Sequence, residues 1–109
     1  MSPRFDTLID DKVIAINTDT SEEFIISGYA MGMIQLPAAM TGTTLDIEVK
    51  NADDGTFYPV YESGAQLTIA FVANTYTRIP DGVFGAHSMR FVSDATELAA
   101  RTLGVRLQA

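Results

Sequence analysis

The chain has 109 residues, no cysteine and a formal net charge of −7, with seven Lys and Arg against fourteen Asp and Glu. The length fits one domain, and the absence of cysteine excludes disulfides and thiolate metal sites. So few basic residues speak against a nucleic-acid partner, and no apolar run is long enough to span a membrane.

The N-terminal segment shows neither a strand pattern nor the apolar stretch of a signal peptide, which favours synthesis in the cytoplasm without export. We predict an arm over residues 1–11, followed by a single β-sandwich domain over residues 12–109. The first predicted strands are Lys12–Thr18, Glu22–Ser27 and Tyr29–Leu36. Gly32 inside the third strand predicts a bulge or a close backbone approach.

The clearest strand is Thr44–Lys50, in which apolar and polar residues alternate. Leu45, Ile47 and Val49 are expected on a dry face. The side chains between them are expected on a wet face, namely Asp46, Glu48 and Lys50. The Asp53-Asp54-Gly55 turn that follows reverses the chain into a return strand.

The second half of the chain consists of short strands separated by turn residues. Strands are predicted at Thr56–Tyr61, Gln66–Val72, Tyr76–Ile79, His87–Val92 and Thr102–Leu107. Ser93–Arg101 has helical propensity but is short enough to be a loop. Eight or nine short strands without crossover helices predict an all-β fold, an antiparallel, jelly-roll-like β-sandwich.

No residue cluster predicts catalytic residues, a metal site or a cofactor. His87, the single histidine, has neither a neighbouring nucleophile nor a second histidine as co-ligand. Asp46 and Glu48 could form a glycosidase pair, but the alternation places both on the wet face. Asp53 and Asp54 lack the spacing of an EF-hand, so a turn is favoured over a calcium site.

Aromatic side chains leave a second interpretation open. Rings exposed in a row could bind a sugar, as in carbohydrate-binding modules, although the chain has no tryptophan and core packing explains most of its rings. The aromatic residues concerned are Tyr29, Phe57, Tyr58, Tyr61 and Tyr76.

Contact with another molecule is expected, because 47% hydrophobic residues is a high share for a small acidic domain. Three methionines surround the corner at Leu36-Pro37, and methionine adapts to cores and docking surfaces alike. The N-terminal arm is the other candidate contact. The predicted interface residues are Arg4, Phe5, Met31, Met33, Pro37 and Met40.

The order of turns and strands between residues 28 and 107 resembles that of small virion structural proteins of tailed bacteriophages, which include β-sandwich decoration or cement proteins of capsids. The matching motifs are Gly32-x-Ile34-x-Leu36-Pro37-Ala38-x-x-Thr41-Gly42, Leu45-x-Ile47-x-Val49, Asp54-Gly55-Thr56-Phe57-x-Pro59-Val60, Gly64, Met89-Arg90-Phe91 and Ala100-Arg101-Thr102-Leu103-x-Val105-x-Leu107. The resemblance implies a non-enzymatic module on the capsid surface, commonly a homotrimer, that contacts the major capsid protein. A carbohydrate-binding module and a neck or tail component remain the alternatives.

Overall fold

The computed structural model describes residues 7–109 as antiparallel β-strands and one short 3-10 helix. The helix is Asp81–Gly85. The strands are β1 (Thr7–Ile14), β2 (Phe24–Ile25), β3 (Met31–Gln35), β4 (Thr44–Lys50), β5 (Tyr58–Pro59), β6 (Tyr61–Glu62), β7 (Ala65–Gln66), β8 (Thr68–Ala70), β9 (Tyr76–Arg78), β10 (Ser88–Ser93) and β11 (Arg101–Gln108).

Two sheets form the two layers of a sandwich. The four-stranded sheet has the order β1-β11-β3-β9, and the five-stranded sheet has the order β2-β10-β4-β5, with β8 also paired to β4. The chain repeatedly passes from one sheet to the other, because β1, β3, β9 and β11 belong to the first and most strands between them to the second. The predicted all-β, antiparallel, jelly-roll-like sandwich is confirmed.

The strands of residues 7–109 number eleven, more than the eight or nine predicted, because two predicted strands are each divided. Thr56–Tyr61 becomes β5 and β6, and Gln66–Val72 becomes β7 and β8. The divisions fall at Val60 and Leu67, where the Leu67 N–H donates to the Val60 carbonyl at 2.8 Å. The β6–β7 hairpin forms a small sheet of its own beyond this point.

The first strand begins earlier than the sequence predicted. Residues 7–11, assigned to the arm, are paired with Gln108 through Gly104 of β11, and the strand ends at Ile14, not at Thr18. Only Leu8 of these residues packs against the core, because β1 is an edge strand. The pattern was therefore too polar to reveal a strand. Arg4 and Phe5 lie outside the described residues.

The core lies between the two sheets and follows the predicted alternation of β4. Leu45 and Ile47 are fully buried, and the rings of Phe24 and Phe91 lie 5.9 Å apart in the same layer. Gly32 of β3 shows the predicted close approach, since a Cβ there would lie 2.7 Å from Leu107 Cδ2. No helix within residues 7–109 has the length and apolar character needed to cross a membrane.

Candidate docking surface

The outer face of the four-stranded sheet carries large apolar side chains that nothing in residues 7–109 covers. Ile9 is 73% exposed, Tyr76 64%, Met31 46% and Met33 42%. Their exposure follows from strand alternation: in β3, Gly32 and Ile34 face the core, so the methionines between and beside them must face outward. We call this outer face the docking face.

Strand register brings residues from distant parts of the chain into two rows across the docking face. In the first row Ile9 lies beside Arg106, Arg106 beside Met33, and Met33 beside Arg78. The second row runs parallel to it and contains Asp11, Gly104, Gln35 and Tyr76. The face therefore alternates apolar and cationic groups along one row and polar groups along the other.

Two shallow depressions of about 360 Å³ and about 570 Å³ make the docking face concave. They share Met33, Arg106 and Gln108 in their linings. Gly104 lines the larger depression and contributes no side chain at the middle of the second row. A protruding apolar group of a partner could therefore enter beside Met33.

The charge of the docking face differs from that of the whole chain. Its two rows contain the cations Arg78 and Arg106 and a single carboxylate, Asp11, whereas the chain carries a net charge of −7. Arg78 is paired with Asp81 at 2.7 Å on the exposed surface. No carboxylate of residues 7–109 forms an ion pair with Arg106. The face is thus the less acidic side of an acidic molecule.

Ion-paired side chains cover the centre of the outer face of the five-stranded sheet, whereas Ile25 of β2 remains 54% exposed at its edge. Arg90 pairs with Glu48 at 2.7 Å, and Lys50 pairs with Glu23 at 2.6 Å. The Phe57 ring lies against both cations, 4.2 Å from Arg90 Cζ and 5.1 Å from Lys50 Nζ. Lys50, expected on a wet face, is accordingly only 7% exposed. The two outer faces therefore differ at their centres, because paired charges and the Phe57 ring cover one, whereas apolar side chains are exposed on the other.

The predicted interface residues of the Leu36-Pro37 corner do not share one surface. Met31 and Met33 lie on the docking face. Pro37 is half-buried, and Met40 packs against the core. These four residues are therefore divided between surface and core. The two methionines of β3 point outward, whereas Pro37 and Met40 lie in the loop between β3 and β4.

Sequence reasoning missed four residues of the docking face. They come from three other strands and are Ile9, Tyr76, Arg78 and Arg106. Alternation in the last strand did place Arg106 on the outward face of that strand, with Leu103, Val105 and Leu107 on the buried face. Nothing in the sequence showed that β11 lies between β1 and β3, and this order is what unites the four residues with Met33.

The residues weighed for chemistry lie apart from one another. His87 Nδ1 lies 2.6 Å from Ser88 Oγ, its neighbour in the chain. Glu48 is occupied by Arg90. Within residues 7–109 no group of three or more His, Cys, Asp or Glu side chains could hold a metal ion. The aspartates of the loops therefore do not converge.

The aromatic residues weighed for sugar binding are split between environments. Tyr58 is exposed on β5, at an edge of the five-stranded sheet, and Tyr61 is exposed on β6 of the separate β6–β7 hairpin. Tyr76 is exposed on the other sheet. Tyr29 and Phe57 are partly buried. Only Tyr58 and Tyr61 remain as neighbours in the chain with rings open to a ligand.

Glu97, whose pKa departs strongly from its ordinary value, lies in the loop that leads to β11 and is fully buried. Burial opposes its charged form, but four hydrogen bonds outweigh that penalty and lower its pKa to about 2. The donors are the N–H groups of Thr41 and Gly42, the Ser93 hydroxyl and the Arg101 guanidinium. This arrangement joins two loops and leaves the carboxylate no free lone pair directed at solvent.

Comparison with known proteins gives one likeness of fold. No protein-family model and no curated protein sequence matches the chain. Among solved structures it is similar to the crystal structure of SPBc2 prophage-derived protein YomS, with a TM-score of 0.69 and 11% sequence identity. The match covers 100% of this chain and 98% of that one. At this identity the likeness establishes a common fold alone.

Proposed function

We propose that the chain is a non-enzymatic structural protein of a bacteriophage particle, a decoration or cement protein that stabilises the capsid. The docking face is the surface that contacts the major capsid protein. Self-association is part of the proposal, and the resemblance of the sequence to decoration proteins implies a homotrimer. The protein then acts from the outer surface of the capsid after synthesis in the host cytoplasm.

The observation that carries the proposal is the bare docking face. Ile9, Met31, Met33 and Tyr76 expose apolar surface together, whereas scattered single residues would need no explanation. An apolar centre flanked by arginines is typical of protein interfaces. On a capsid, many copies of a modest interface act together, so a face of this size suffices.

Two independent likenesses support the phage context. The sequence motifs between residues 28 and 107 resemble those of phage virion proteins. The fold is similar to that of a prophage-derived protein over 100% of this chain and 98% of that one. The first likeness concerns the order of turns and strands, and the second concerns the path of the backbone. Both are likenesses to proteins of phage origin.

Co-sedimentation with capsids tests the proposal. The probe is an expanded capsid assembled from the major capsid protein of the genome that encodes the chain, with free capsid subunits in parallel. We expect binding to capsids and none to free subunits. Met33→Glu should weaken binding on the order of 30-fold, because it places a charge at the centre of the apolar row.

Leu98→Glu is the matched control, since Leu98 is a similarly apolar, exposed side chain outside the docking face. The control should bind as the wild type does. Unimpaired binding by Met33→Glu would show that another surface meets the capsid. Absence of wild-type binding to any capsid would refute the decoration role and leave a neck or tail component to be tested by labelling of whole particles.

The exposure of Tyr58 and Tyr61 favours one second candidate function, a carbohydrate-binding module. Exposed aromatic rings can lie against the apolar faces of sugar rings. A glycan array with the wild type and Tyr58→Ala tests this candidate, with Tyr76→Ala as the control on the opposite sheet. Binding that Tyr58→Ala abolishes and Tyr76→Ala preserves would establish it; an array without signal would dismiss it.

A further inference from the structure

The outer edge of β1 has backbone groups with no partner in residues 7–109. The backbone N–H and C=O groups of Val13 point outward, away from β11. The N–H donates to Glu22 Oε1, and the carbonyl accepts from the Glu22 N–H. Antiparallel strands alternate their bonding direction from one residue to the next. Thr7, Ile9 and Asp11 therefore direct their N–H and C=O groups away from β11, on the same side as Val13.

The unpaired part of this edge is short and bounded. Glu22 occupies the edge at Val13, so additional pairing ends at Asp11. The Asp11 N–H donates a local hydrogen bond to the carboxylate of its neighbour Asp10 at 2.8 Å. No hydrogen bond within the described part of the chain reaches the outward groups of Thr7 and Ile9. The segment Thr7–Asp11 is thus an open strand edge, which readily pairs with another strand.

We propose that two copies of the chain pair through this segment, antiparallel and centred on Ile9. Ile9 of each copy then exchanges two backbone hydrogen bonds with Ile9 of the other, and Thr7 pairs with Asp11 of the second copy. The inference stands on β1 alone and holds whether or not the protein decorates capsids. The pairing is twofold, unlike the threefold assembly that the resemblance implies.

The charge of Asp10 favours the register centred on Ile9 over the register centred on Asp10. A segment that pairs with itself overlaps most completely about its own midpoint, and the midpoint of Thr7–Asp11 is Ile9. Pairing centred on Asp10 would set that carboxylate directly against its copy, a destabilising arrangement. The proposed register sets Asp10 against Leu8 and keeps Asp10 in its 2.9 Å ion pair with Lys12. The hydrogen bond from Lys12 also holds the pKa of Asp10 below its usual value, so the charge is present at neutral pH.

The pairing would extend the docking face across both copies. A twofold axis between antiparallel strands is perpendicular to the sheet, so both copies present the same face to the same side. The first row would then run Met33, Arg106, Ile9 and, in reverse order, the same residues of the second copy. The exposed Ile9 side chains would lie side by side, which covers part of the largest apolar exposure on the face.

Sedimentation velocity at physiological salt tests the pairing. The wild type should associate reversibly to a species of twice the 11.8 kDa chain mass. Ile9→Pro should weaken this association on the order of 30-fold, because each copy loses the N–H of the central pair. The β1–β11 ladder should persist, since the Ile9 N–H faces away from β11 and proline is tolerated at such edge positions.

Ile9→Thr is the control, because threonine keeps the N–H and suits a strand; it should associate within a few-fold of the wild type. Circular dichroism verifies that both variants are folded. In the wild type, hydrogen exchange at the amides of Thr7 and Ile9 should slow as the protein concentration rises. A wild type that stays monomeric at millimolar concentration, or that forms trimers, overturns the inference, as does unchanged association of Ile9→Pro. A dimer that fails to bind capsids would refute only the proposed function.

Discussion

Glu97 shows how one residue can hold together a region without regular structure. Its carboxylate receives hydrogen bonds from backbone N–H groups of one loop, from Ser93 at the end of β10 and from Arg101 at the start of β11. Its own backbone N–H donates to the Thr18 carbonyl at 2.8 Å. Residues 94–100 are for this reason a fixed loop and form no helix, although Glu97 and its neighbours favour one in isolation.

Glu97→Gln should lower the free energy of unfolding by about 3 kcal/mol, because the amide group leaves the Arg101 guanidinium without its carboxylate and turns an N–H₂ toward other donors. Urea denaturation measures the loss. Glu62→Gln, at an exposed position, is the control and should change stability by less than about 0.5 kcal/mol. Equal effects of the two substitutions would contradict the role given to the buried carboxylate.

The lowered pKa of Glu97 makes the stability depend on acid. A carboxyl group with a pKa of about 2 in the folded protein and 4.5 in the unfolded chain binds its proton more readily in the unfolded chain. Its stabilising contribution is therefore complete above pH 4.5 and is lost as the pH falls toward 2. Thermal melts across this range should show the decline in the wild type and a shallower one in Glu97→Gln. Parallel curves would assign the acid sensitivity to other groups.

At the scale of elements, β3 connects the core to the docking face. Its inward side carries Gly32 and Ile34, against which Leu107 of β11 and Phe84 of the 3-10 helix pack. Its outward side carries Met31 and Met33. The glycine lets the helix approach the strand closely, and the methionines are thereby backed by a tightly packed layer.

Gly32→Ala should destabilise the fold by about 1–3 kcal/mol, because the new methyl group would meet Leu107 Cδ2 at 2.7 Å and the Arg106 carbonyl and Phe84 ring at 3.1 Å. Denaturant titration gives the value. The control is Gly82→Ala in the 3-10 helix, where a Cβ has no neighbour within 4 Å and should be nearly neutral. A neutral Gly32→Ala would mean that the helix can move away without cost.

At the scale of the whole molecule, residues 7–109 form a sandwich with one largely closed outer face, one bare outer face and an open edge at β1. The closed face results from Phe57, which covers the cations of β4 and β10. The bare face and the open edge meet at Ile9, which belongs to both. Pairing would use the outward backbone groups of Ile9 and cover part of its side chain, and docking would use the other apolar side chains of the same sheet.

Deletion of residues 1–11 should destabilise the whole domain by at least about 3 kcal/mol, because it removes five of the eight residue pairs between β1 and β11 and uncovers Val105 and Leu107. The sequence by itself predicts an arm over residues 1–11, and deletion of residues 1–10 would then leave the sandwich folded. A melting temperature equal to that of the full chain would restore that interpretation.

Local alternation determined the fold class and the face assignments within single strands. Leu45 and Ile47 point inward, and Arg106 points away from Leu107, as any two-residue period requires. Edge strands carry a weaker version of this signal, because only one of their flanks is buried, and for this reason the pattern of residues 7–11 does not predict the first part of β1.

The tertiary structure alone decided which outward residues become neighbours. Ile9, Arg106, Met33 and Arg78 lie far apart in the chain, and only the order β1-β11-β3-β9 places them in one row. Burial of Glu97 is likewise a result of two loops meeting. The two-residue alternation along the chain indicates which side of a strand is buried, but it contains no information on which strands lie next to it in the sheet. The docking face depends on that order of strands.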